Sequence, residues 1–326
     1  MTDHPRDRFD LKPSLEAETA FVEAQDRGRL HHAWLLCGPE GVGKATFAFR
    51  AARRLLGAAP DPTRGPLGAR PDDPVSQLVS ARSHPDLLVL ERLVEGGKTK
   101  KSISVDQARE LPEFFSKSPS QAAYRVAIID TADDLNINAA NALLKVLEEP
   151  PERGVLFLIT HAPGRLLPTI RSRCRRLAFA PWPEAEVAAL VRRMTDLPDE
   201  EADRIAGMAR GSPGAALGLA SAASLETERL ARAWVEAPTI DRAEQLAVAD
   251  GFRGAEGQAR FEALLDRLAA AVKARALTAG AGGDAWAGLW SRLTDLPERA
   301  AAINLDRGDL LAAALADLAR VKAMSR

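Results

Sequence analysis

The chain has 326 residues, of which 46% are hydrophobic, and its formal net charge is −1. This length predicts two or three domains with sizeable cores, and the near-neutral charge excludes a global field that would draw the chain onto nucleic acid or a membrane surface. The two cysteines have no metal-ligand spacing and indicate a reducing compartment. Residues 1–8 are charged and resemble no signal peptide, and the apolar runs are too short for a membrane span. We therefore expect a cytoplasmic protein with no membrane partner.

A glycine-rich loop is the first motif along the chain. Its spacing, Gly38-(x4)-Gly43-Lys44, is that of a P-loop. Glycines let backbone N–H groups converge on phosphate oxygens, and the lysine supplies a mobile positive charge. An apolar run at 32–37 precedes the loop, and an amphipathic segment at 46–56 follows it. This order of strand, loop and helix favours a nucleotide-binding architecture over the alternative, a glycine turn without a ligand.

The position after the lysine departs from the P-loop pattern. Ser or Thr is required there because its hydroxyl binds Mg²⁺, whereas Ala45 has no oxygen to offer. Thr46 is one residue further on, and successive residues of a helix are turned by about 100°, so we expect its side chain to point away from the metal. The chain keeps a cradle for phosphate and lacks one group needed to use a metal.

The rest of the first half alternates strands and helices, which predicts a parallel α/β sheet. A loop rich in Pro, Gly and Asp at 57–74 interrupts the pattern. A capping box that begins at Ser104 predicts the start of one helix. The remaining predicted elements are strands at 86–90, 125–130 and 155–160 and helices at 104–115 and 138–149.

Asp130 ends an apolar strand downstream of the P-loop lysine, where a Walker B aspartate lies and helps to hold Mg²⁺. The alternative is a strand-end aspartate that caps a loop. In hydrolysing proteins of this layout a glutamate follows and orients the attacking water, but Thr131 follows here and cannot act as a carboxylate base. Asp133 and Asp134 are expected to be surface charges near a turn.

The character of the chain changes after about residue 179, where strand signals disappear. Helical spacing runs over 184–211 and again, rich in Ala and Leu, over 222–326. We predict three domains: an α/β P-loop domain at 1–178, a small helical domain at 179–221 and an all-helical domain at 222–326.

Four arginines lie within the six residues 171–176. A solvated basic stretch and a phosphate-binding surface are two interpretations. A third is that one arginine reaches the γ-phosphate of a nucleotide held by another subunit, because a guanidinium group suits that role.

Several tracts together resemble the delta-prime family of bacterial DNA polymerase III clamp-loader subunits. The resemblance covers about residues 28–220, and the helical remainder agrees only in length and character. The tracts are 84–86 (His-Pro-Asp), 130–136, 139–151 (which ends Leu-Glu-Glu-Pro-Pro), 172–174 (Ser-Arg-Cys) and 211–217 (Gly-Ser-Pro-Gly-Ala-Ala-Leu).

This resemblance implies an AAA+ module, a helical lid and a helical collar that joins motor-type and delta-type subunits in a five-subunit ring. Such a ring loads the sliding clamp onto primed DNA. The resemblance makes Arg173 an arginine finger acting in trans and Thr160 the sensor threonine, and it places Gly214 where motor subunits carry a sensor arginine. The nucleotide-binding positions it implies are Gly38, Gly41, Gly43, Lys44, Ala45, Thr46, Asp130 and Thr160.

Cofactor expectations follow from the same comparison of motifs. ATP or ADP could occupy the cradle, and none is required for the role that the resemblance implies. Many members of the family carry a cysteine-rich zinc module after the first helix, but residues 57–79 contain no cysteine. We therefore expect no zinc and no other metal.

Three functions remain open at this point. The first is a non-hydrolysing clamp-loader subunit that supplies an arginine in trans. The second is a catalytically active P-loop ATPase such as the motor subunit, which the losses at Ala45, Thr131 and Gly214 disfavour. The third is a small-molecule nucleotide kinase, which explains the P-loop but not the long helical carboxy-terminal half.

Overall fold

The computed structural model describes residues 4–12, 14–95, 98–100, 102–195, 197–253, 257–279, 283–303 and 306–324. The chain forms two compact units, Met1–Ala220 and Ser221–Arg326. The separation of a lid domain at 179–221 from the P-loop domain stays a prediction. None of the helices in the described ranges has the length and apolar character that crossing a membrane requires.

A five-stranded parallel sheet in the order β2-β5-β6-β1-β7 is the centre of the first unit. The predicted parallel α/β architecture is therefore confirmed. A separate antiparallel pair is formed by β3 and β4. The strands are β1 Ala33–Cys37, β2 Leu87–Glu91, β3 Val94–Glu95, β4 Lys98–Thr99, β5 Arg125–Asp130, β6 Gly154–Thr160 and β7 Arg175–Ala178.

Helices cover both faces of this sheet. The helices of the first unit are α1 Leu15–Asp26, α2 Lys44–Leu56, α3 Pro74–Ser80, α4 Val105–Ser116, α5 Ile137–Glu148, α6 Pro168–Arg171, α7 Glu184–Met194, α8 Asp199–Ala209 and α9 Pro213–Leu219. The predicted capping box at the start of α4 is confirmed, because the side chains of Ser104 and Gln107 each bond the other's backbone N–H.

Burial on both faces explains the continuous apolar strands. Alternate residues of β1 point to opposite sides, so Trp34 packs with Phe21 of α1 and Phe47 of α2 on one face. Leu35 packs with Leu111 of α4 and other residues on the second face. All five residues of β1 and all seven of β6 are buried.

The segment before β5 is fixed by Asp86, the last residue of the His-Pro-Asp tract. Its buried carboxylate accepts hydrogen bonds from the backbone N–H groups of Ser120, Gln121 and Ala122, at 2.7, 2.8 and 3.0 Å. Burial alone would raise the pKa of this carboxyl, but these three bonds outweigh it and the pKa is lowered. Asp86 thus positions the strand that carries Asp130.

The second unit is helical throughout its described residues. Its core gathers large side chains that include Trp234, Phe261, Leu268, Trp286 and Leu318. The helices are α10 Ala222–Glu236, α11 Arg242–Asp250, α12 Gly257–Thr278, α13 Gly283–Ile303 and α14 Arg307–Met324.

Candidate nucleotide site

A cavity of about 710 Å³ lies at the carboxyl edge of the sheet in the first unit. Because parallel strands all end at this edge, the loop after β1, the end of β5 and the residue after β6 converge there. The start of α9 and the segment before α1 complete its walls. The lining residues are His4, Pro5, Arg8, Leu11, Glu40, Gly41, Gly43, Lys44, Ala45, Thr46, Asp130, Thr131, Ile159, His161, Ser212, Gly214, Ala215 and Leu217.

Most of the predicted nucleotide-binding residues therefore share one cavity. Gly38 and Thr160 are not among the lining residues, and neither is Arg173. Gly38 instead approaches the chain after β7, where an added Cβ would lie 2.3 Å from the carbonyl oxygen of Phe179. Glycine at position 38 is thus explained by close packing at the base of the loop.

Two glycines of the loop, Gly41 and Gly43, line the cavity. Gly41 has a φ of 73° and Gly43 a φ of 102°, in the left-handed region that glycine adopts without strain. Within the described residues, their N–H groups donate to no other protein group. Gly43 directly precedes α2, whose amino-terminal end carries partial positive charge. Free N–H groups at such a helix end suit an anion of the phosphate type.

Lys44 lies over the loop that it follows. Its Nζ donates to the carbonyl oxygen of Gly38 at 2.6 Å and also to that of Pro39. The residue is 3% exposed, and burial lowers the pKa of its ammonium group from 10.5 to about 8, with Asp130 and Glu40 opposing the shift. The lysine charge at this site is therefore sensitive to pH in a range where free lysine is fully charged.

This pKa predicts how the affinity for an anionic ligand changes with pH. At pH 7 nearly all Lys44 is charged, whereas at pH 9 only about a tenth is, because pH 9 is one unit above its pKa. Since phosphate binds the charged form, we expect ATP affinity to fall roughly tenfold from pH 7 to pH 9. Calorimetric titration in EDTA measures this change. Lys44→Met should bind weakly with no such pH dependence, and a wild-type affinity that stayed level would contradict the prediction.

Ala45 and Thr46 both line the cavity at the start of α2. Ala45 brings only a methyl group to the position where a P-loop has its metal-binding hydroxyl. Thr46 is 3% exposed. Its orientation away from a metal stays a prediction, as does its place among the nucleotide-binding residues.

Asp130 ends β5 beside the cavity, and Thr131 follows it. Burial raises the pKa of the Asp130 carboxyl, and a 3.3 Å hydrogen bond from the Thr131 hydroxyl opposes this rise. The same hydroxyl lies 3.4 Å from Nε2 of His161, the residue after β6. The side chain next to the Walker B candidate thus carries a hydroxyl where hydrolysis requires a carboxylate base.

Asp133 lies in the expected turn, and its carboxylate has a structural role there. Its carboxylate accepts the hydroxyl of Thr160 at 2.7 Å and the backbone N–H of His161 at 2.6 Å. A short 3-10 turn after β5 brings the carboxylate back to the end of β6. Thr160, which is fully buried, is therefore held by Asp133. Asp134 meanwhile pairs with Arg92 at 3.1 Å.

The cluster of four arginines is divided between two elements. Arg175 and Arg176 belong to β7, which pairs with β1, and the three interpretations of residues 171–176 stay open. Arg175 stacks on the Trp34 ring at 4.9 Å. Arg173 lies between α6 and β7, where its guanidinium pairs with Glu148 at 3.1 Å and its side chain is 37% exposed. Arg173 is thus the half-buried member of the cluster, whereas Arg171, Arg175 and Arg176 are exposed.

The segment before α1 is a part of the site that the sequence analysis missed. His4, Pro5, Arg8 and Leu11 line the cavity. Two arginines of α2 hold this segment, because Arg50 donates to the carbonyl oxygen of Phe9 at 2.7 Å and Arg53 donates to that of Arg6. No periodicity or motif marks the segment, so its place depends on contacts that are distant in sequence.

Within the described ranges, His, Cys, Asp and Glu side chains nowhere gather in a set of three that could hold a metal ion. The expected absence of zinc stays a prediction. The backbone N–H groups of the loop and Lys44 suit the binding of an anion at the cavity.

The class of protein follows from fold and site together. A P-loop after β1 at the carboxyl edge of a parallel sheet, with Asp130 at the end of β5 and β6 between these two strands, defines an AAA+ module. A family profile described as DNA polymerase III, delta subunit matches residues 15–183, just over half of the chain. The chain belongs to this family, and the predicted resemblance to delta-prime subunits is confirmed.

Several relatives carry related names. DNA polymerase III subunit delta' of Pseudomonas aeruginosa is 40% identical over 188 residues, 57% of this chain and 55% of the relative. The same subunit of Escherichia coli is 35% identical over 209 residues, 64% and 59% of the two chains. DNA polymerase III subunit gamma/tau of Mycobacterium tuberculosis is 38% identical over 173 residues, 53% and 28%. The chain thus spans at most 59% of the length of these relatives.

A solved structure extends the comparison of folds beyond the P-loop region. A DNA polymerase III gamma subunit-related protein of Thermotoga maritima aligns with a TM-score of 0.51, over 93% of this chain and 99% of its own. The two are 19% identical, so this likeness concerns the fold alone. It supports the predicted order of an AAA+ module, a small helical part and an all-helical carboxy-terminal part.

Proposed function

We propose that this chain is a non-hydrolysing subunit of a DNA polymerase III clamp loader. In this role it joins motor-type and delta-type subunits in a five-subunit ring. The ring loads the sliding clamp onto primed DNA with energy from ATP. The chain supplies Arg173 in trans to the nucleotide of a neighbouring ATPase subunit. Membership of the delta subunit family and the delta' relatives support the assembly.

One observation carries the non-hydrolysing part of the proposal. The cavity keeps the phosphate cradle and Lys44, yet it presents Ala45, Thr131 and Gly214 at three positions where hydrolysis depends on a hydroxyl, a carboxylate and an arginine. Loss of one such group commonly lowers a rate by several powers of ten. A chain of this kind can hold ATP or ADP without turning it over.

A catalytically active P-loop ATPase of the motor type is the second candidate. The free N–H groups of the cradle and the cavity of about 710 Å³ favour it, because both are what a nucleotide requires. The two candidates predict opposite results in a hydrolysis assay.

We expect the isolated chain to hydrolyse ATP far more slowly than about 1 s⁻¹, the low end of ordinary enzyme rates, with or without primed DNA. Phosphate release at saturating ATP and Mg²⁺ measures the rate, and Lys44→Ala is the control for a contaminating ATPase. Turnover at or above about 1 s⁻¹ that Lys44→Ala abolished would establish the motor-type candidate instead.

Assembly is tested separately from hydrolysis. The chain is mixed with the motor-type and delta-type subunits of the same organism, and the complex is weighed by native mass spectrometry. A complex that contains this chain in a ring of five supports the proposed role. A chain that stays outside every complex of these subunits would overturn it.

A further inference from the structure

The start of α9 lies directly against the P-loop. The hydroxyl of Ser212 donates to the carbonyl oxygen of Glu40 at 3.0 Å, and the backbone N–H of Gly214 donates to the carbonyl oxygen of Gly41 at 2.9 Å. Two consecutive carbonyls of the loop are thus held by two groups of the helical segment that follows α8.

This contact needs glycine on both sides. A Cβ added to Gly214 would lie 3.0 Å from Cα and 3.1 Å from the carbonyl oxygen of Gly41. A Cβ added to Gly41 would lie 2.2 Å from the hydroxyl oxygen of Ser212. Because the atoms that Gly214 approaches belong to the backbone, a side chain at position 214 is accommodated only if α9 and the loop move apart.

The same contact determines which groups of the loop are left for a ligand. Lys44 binds the carbonyl oxygens of Gly38 and Pro39, and α9 and Ser212 bind those of Gly41 and Glu40. All four consecutive carbonyls at 38–41 therefore accept protein donors. Because these carbonyl oxygens are already hydrogen-bonded, the N–H groups of the loop are the groups that remain available to bind phosphate.

We propose that Gly214 is a positioning residue for the phosphate-binding loop. Its backbone N–H and its lack of a side chain hold the loop in the phosphate-binding conformation before any ligand arrives. This inference rests on the proposed nucleotide site and deepens it. Gly214 is then a required glycine, in contrast to a position that has merely lost a sensor arginine, and an arginine placed there would open the loop.

Gly218 offers a matched control. It lies in the same helix, α9, and an added Cβ there would meet nothing within 4 Å. Helix propensity favours alanine over glycine at both positions, so Gly214→Ala and Gly218→Ala differ mainly in the contact with the loop. If Gly214 has only lost an arginine, the two variants behave alike.

The first measurement is amide hydrogen exchange of the full chain without nucleotide. We expect peptides covering 38–46 and 210–218 to exchange at least tenfold faster in Gly214→Ala than in the wild type, and to be unchanged in Gly218→Ala. Equal exchange in the two variants would overturn the proposal. This comparison needs no bound ligand, so it is decisive even where the wild type binds no ATP and the proposed nucleotide site fails.

The second measurement is ATP affinity in EDTA, at a temperature where circular dichroism shows every variant folded. We expect Gly214→Ala to bind at least tenfold more weakly, Gly214→Arg to bind no better than Gly214→Ala, and Gly218→Ala to match the wild type. A role in stability alone would change the melting temperature and leave the affinity of the folded chain unchanged. Tighter binding by Gly214→Arg would show that the position is a lost sensor.

Ser212→Asp tests the same contact without a change at either glycine. Aspartate still accepts the N–H of Ala215 as the helix cap, but it cannot donate to Glu40 as the serine hydroxyl does. We expect loop exchange to rise as it does in Gly214→Ala. If Gly214→Ala fails to fold, unchanged loop exchange in Ser212→Asp would overturn the proposal.

Discussion

Replacing Glu18 with alanine should lower the free energy of unfolding by about 3–5 kcal/mol, the cost of leaving a buried ion without its partner. Glu18 and Arg50 are 0% and 2% exposed, and their side chains meet at 2.7 Å between Oε1 and Nε and 3.0 Å between Oε2 and Nη2. The carboxylate also accepts the backbone N–H of Leu67 at 3.1 Å. Alanine would leave the Arg50 charge and this N–H without their acceptor.

The effect of Glu18→Ala should extend to the nucleotide cavity. Arg50 donates to the carbonyl oxygens of Phe9 and Arg64, so the pair links α2 to the segment before α1 and to the turn at 62–64. That first segment lines the cavity. Urea unfolding followed by circular dichroism measures the stability. Nucleotide affinity, measured at urea concentrations below the unfolding transition, then shows whether the segment before α1 still lines the cavity.

A matched control lies in the same helix. Glu23 pairs with Arg27 at 3.0 Å, but the two side chains are 53% and 67% exposed, so Glu23→Ala should cost less than about 1 kcal/mol. An equal decrease in the free energy of unfolding in the two variants would mean that the buried Glu18–Arg50 pair contributes no more to stability than the exposed pair.

Three of the four strands that the sequence predicted lie in the interior of the sheet. β1, β5 and β6 contain long apolar runs, because most of their buried side chains are apolar, and β5 has the predicted bounds. β7 was missed because, unlike the other edge strand β2, it has no apolar run. Its residues Arg175, Arg176 and Ala178 are exposed, so it carries no periodic apolar signal.

The parts of the site that were missed depend on contacts across the fold. The residue types at the P-loop could be read from spacing alone, since the chemistry needs glycines and a lysine in one order. Nothing local distinguishes Asp133 from Asp134, and only the meeting of β5 and β6 makes Asp133 the partner of Thr160. The approach of Gly214 to Gly41 likewise joins residues that are far apart in sequence.

Arg173→Ala should leave the chain folded and still able to enter the ring, because Arg173 is partly exposed and a solvent-exposed ion pair such as the one with Glu148 contributes at most about 1 kcal/mol. ATP hydrolysis and clamp loading by the reconstituted ring should fall. A finger in trans contributes about 10³–10⁵ in rate at its own site. The decrease for the whole ring is smaller, since the other motor sites continue to turn over.

Two companion variants separate a finger from a basic surface. Arg171 is exposed and two residues away, with its guanidinium 3.5 Å from the carbonyl oxygen of Pro163. If 171–176 acts only as a positive patch, Arg171→Ala should slow the ring as much as Arg173→Ala does. A finger at position 173 predicts instead that Arg171→Ala keeps near wild-type rates.

Arg173→Lys should hydrolyse ATP and load clamps little better than Arg173→Ala, because lysine keeps the charge but lacks the planar guanidinium that binds two phosphate oxygens. Steady-state hydrolysis and single-turnover clamp loading, measured on rings of verified composition, give the rates. Since Arg173 is not among the residues that line this chain's own cavity, its effect should appear only when a neighbouring ATPase subunit is present. Wild-type rates in rings that carry Arg173→Ala would make Arg173 a structural arginine paired with Glu148 and remove the finger from the proposed function.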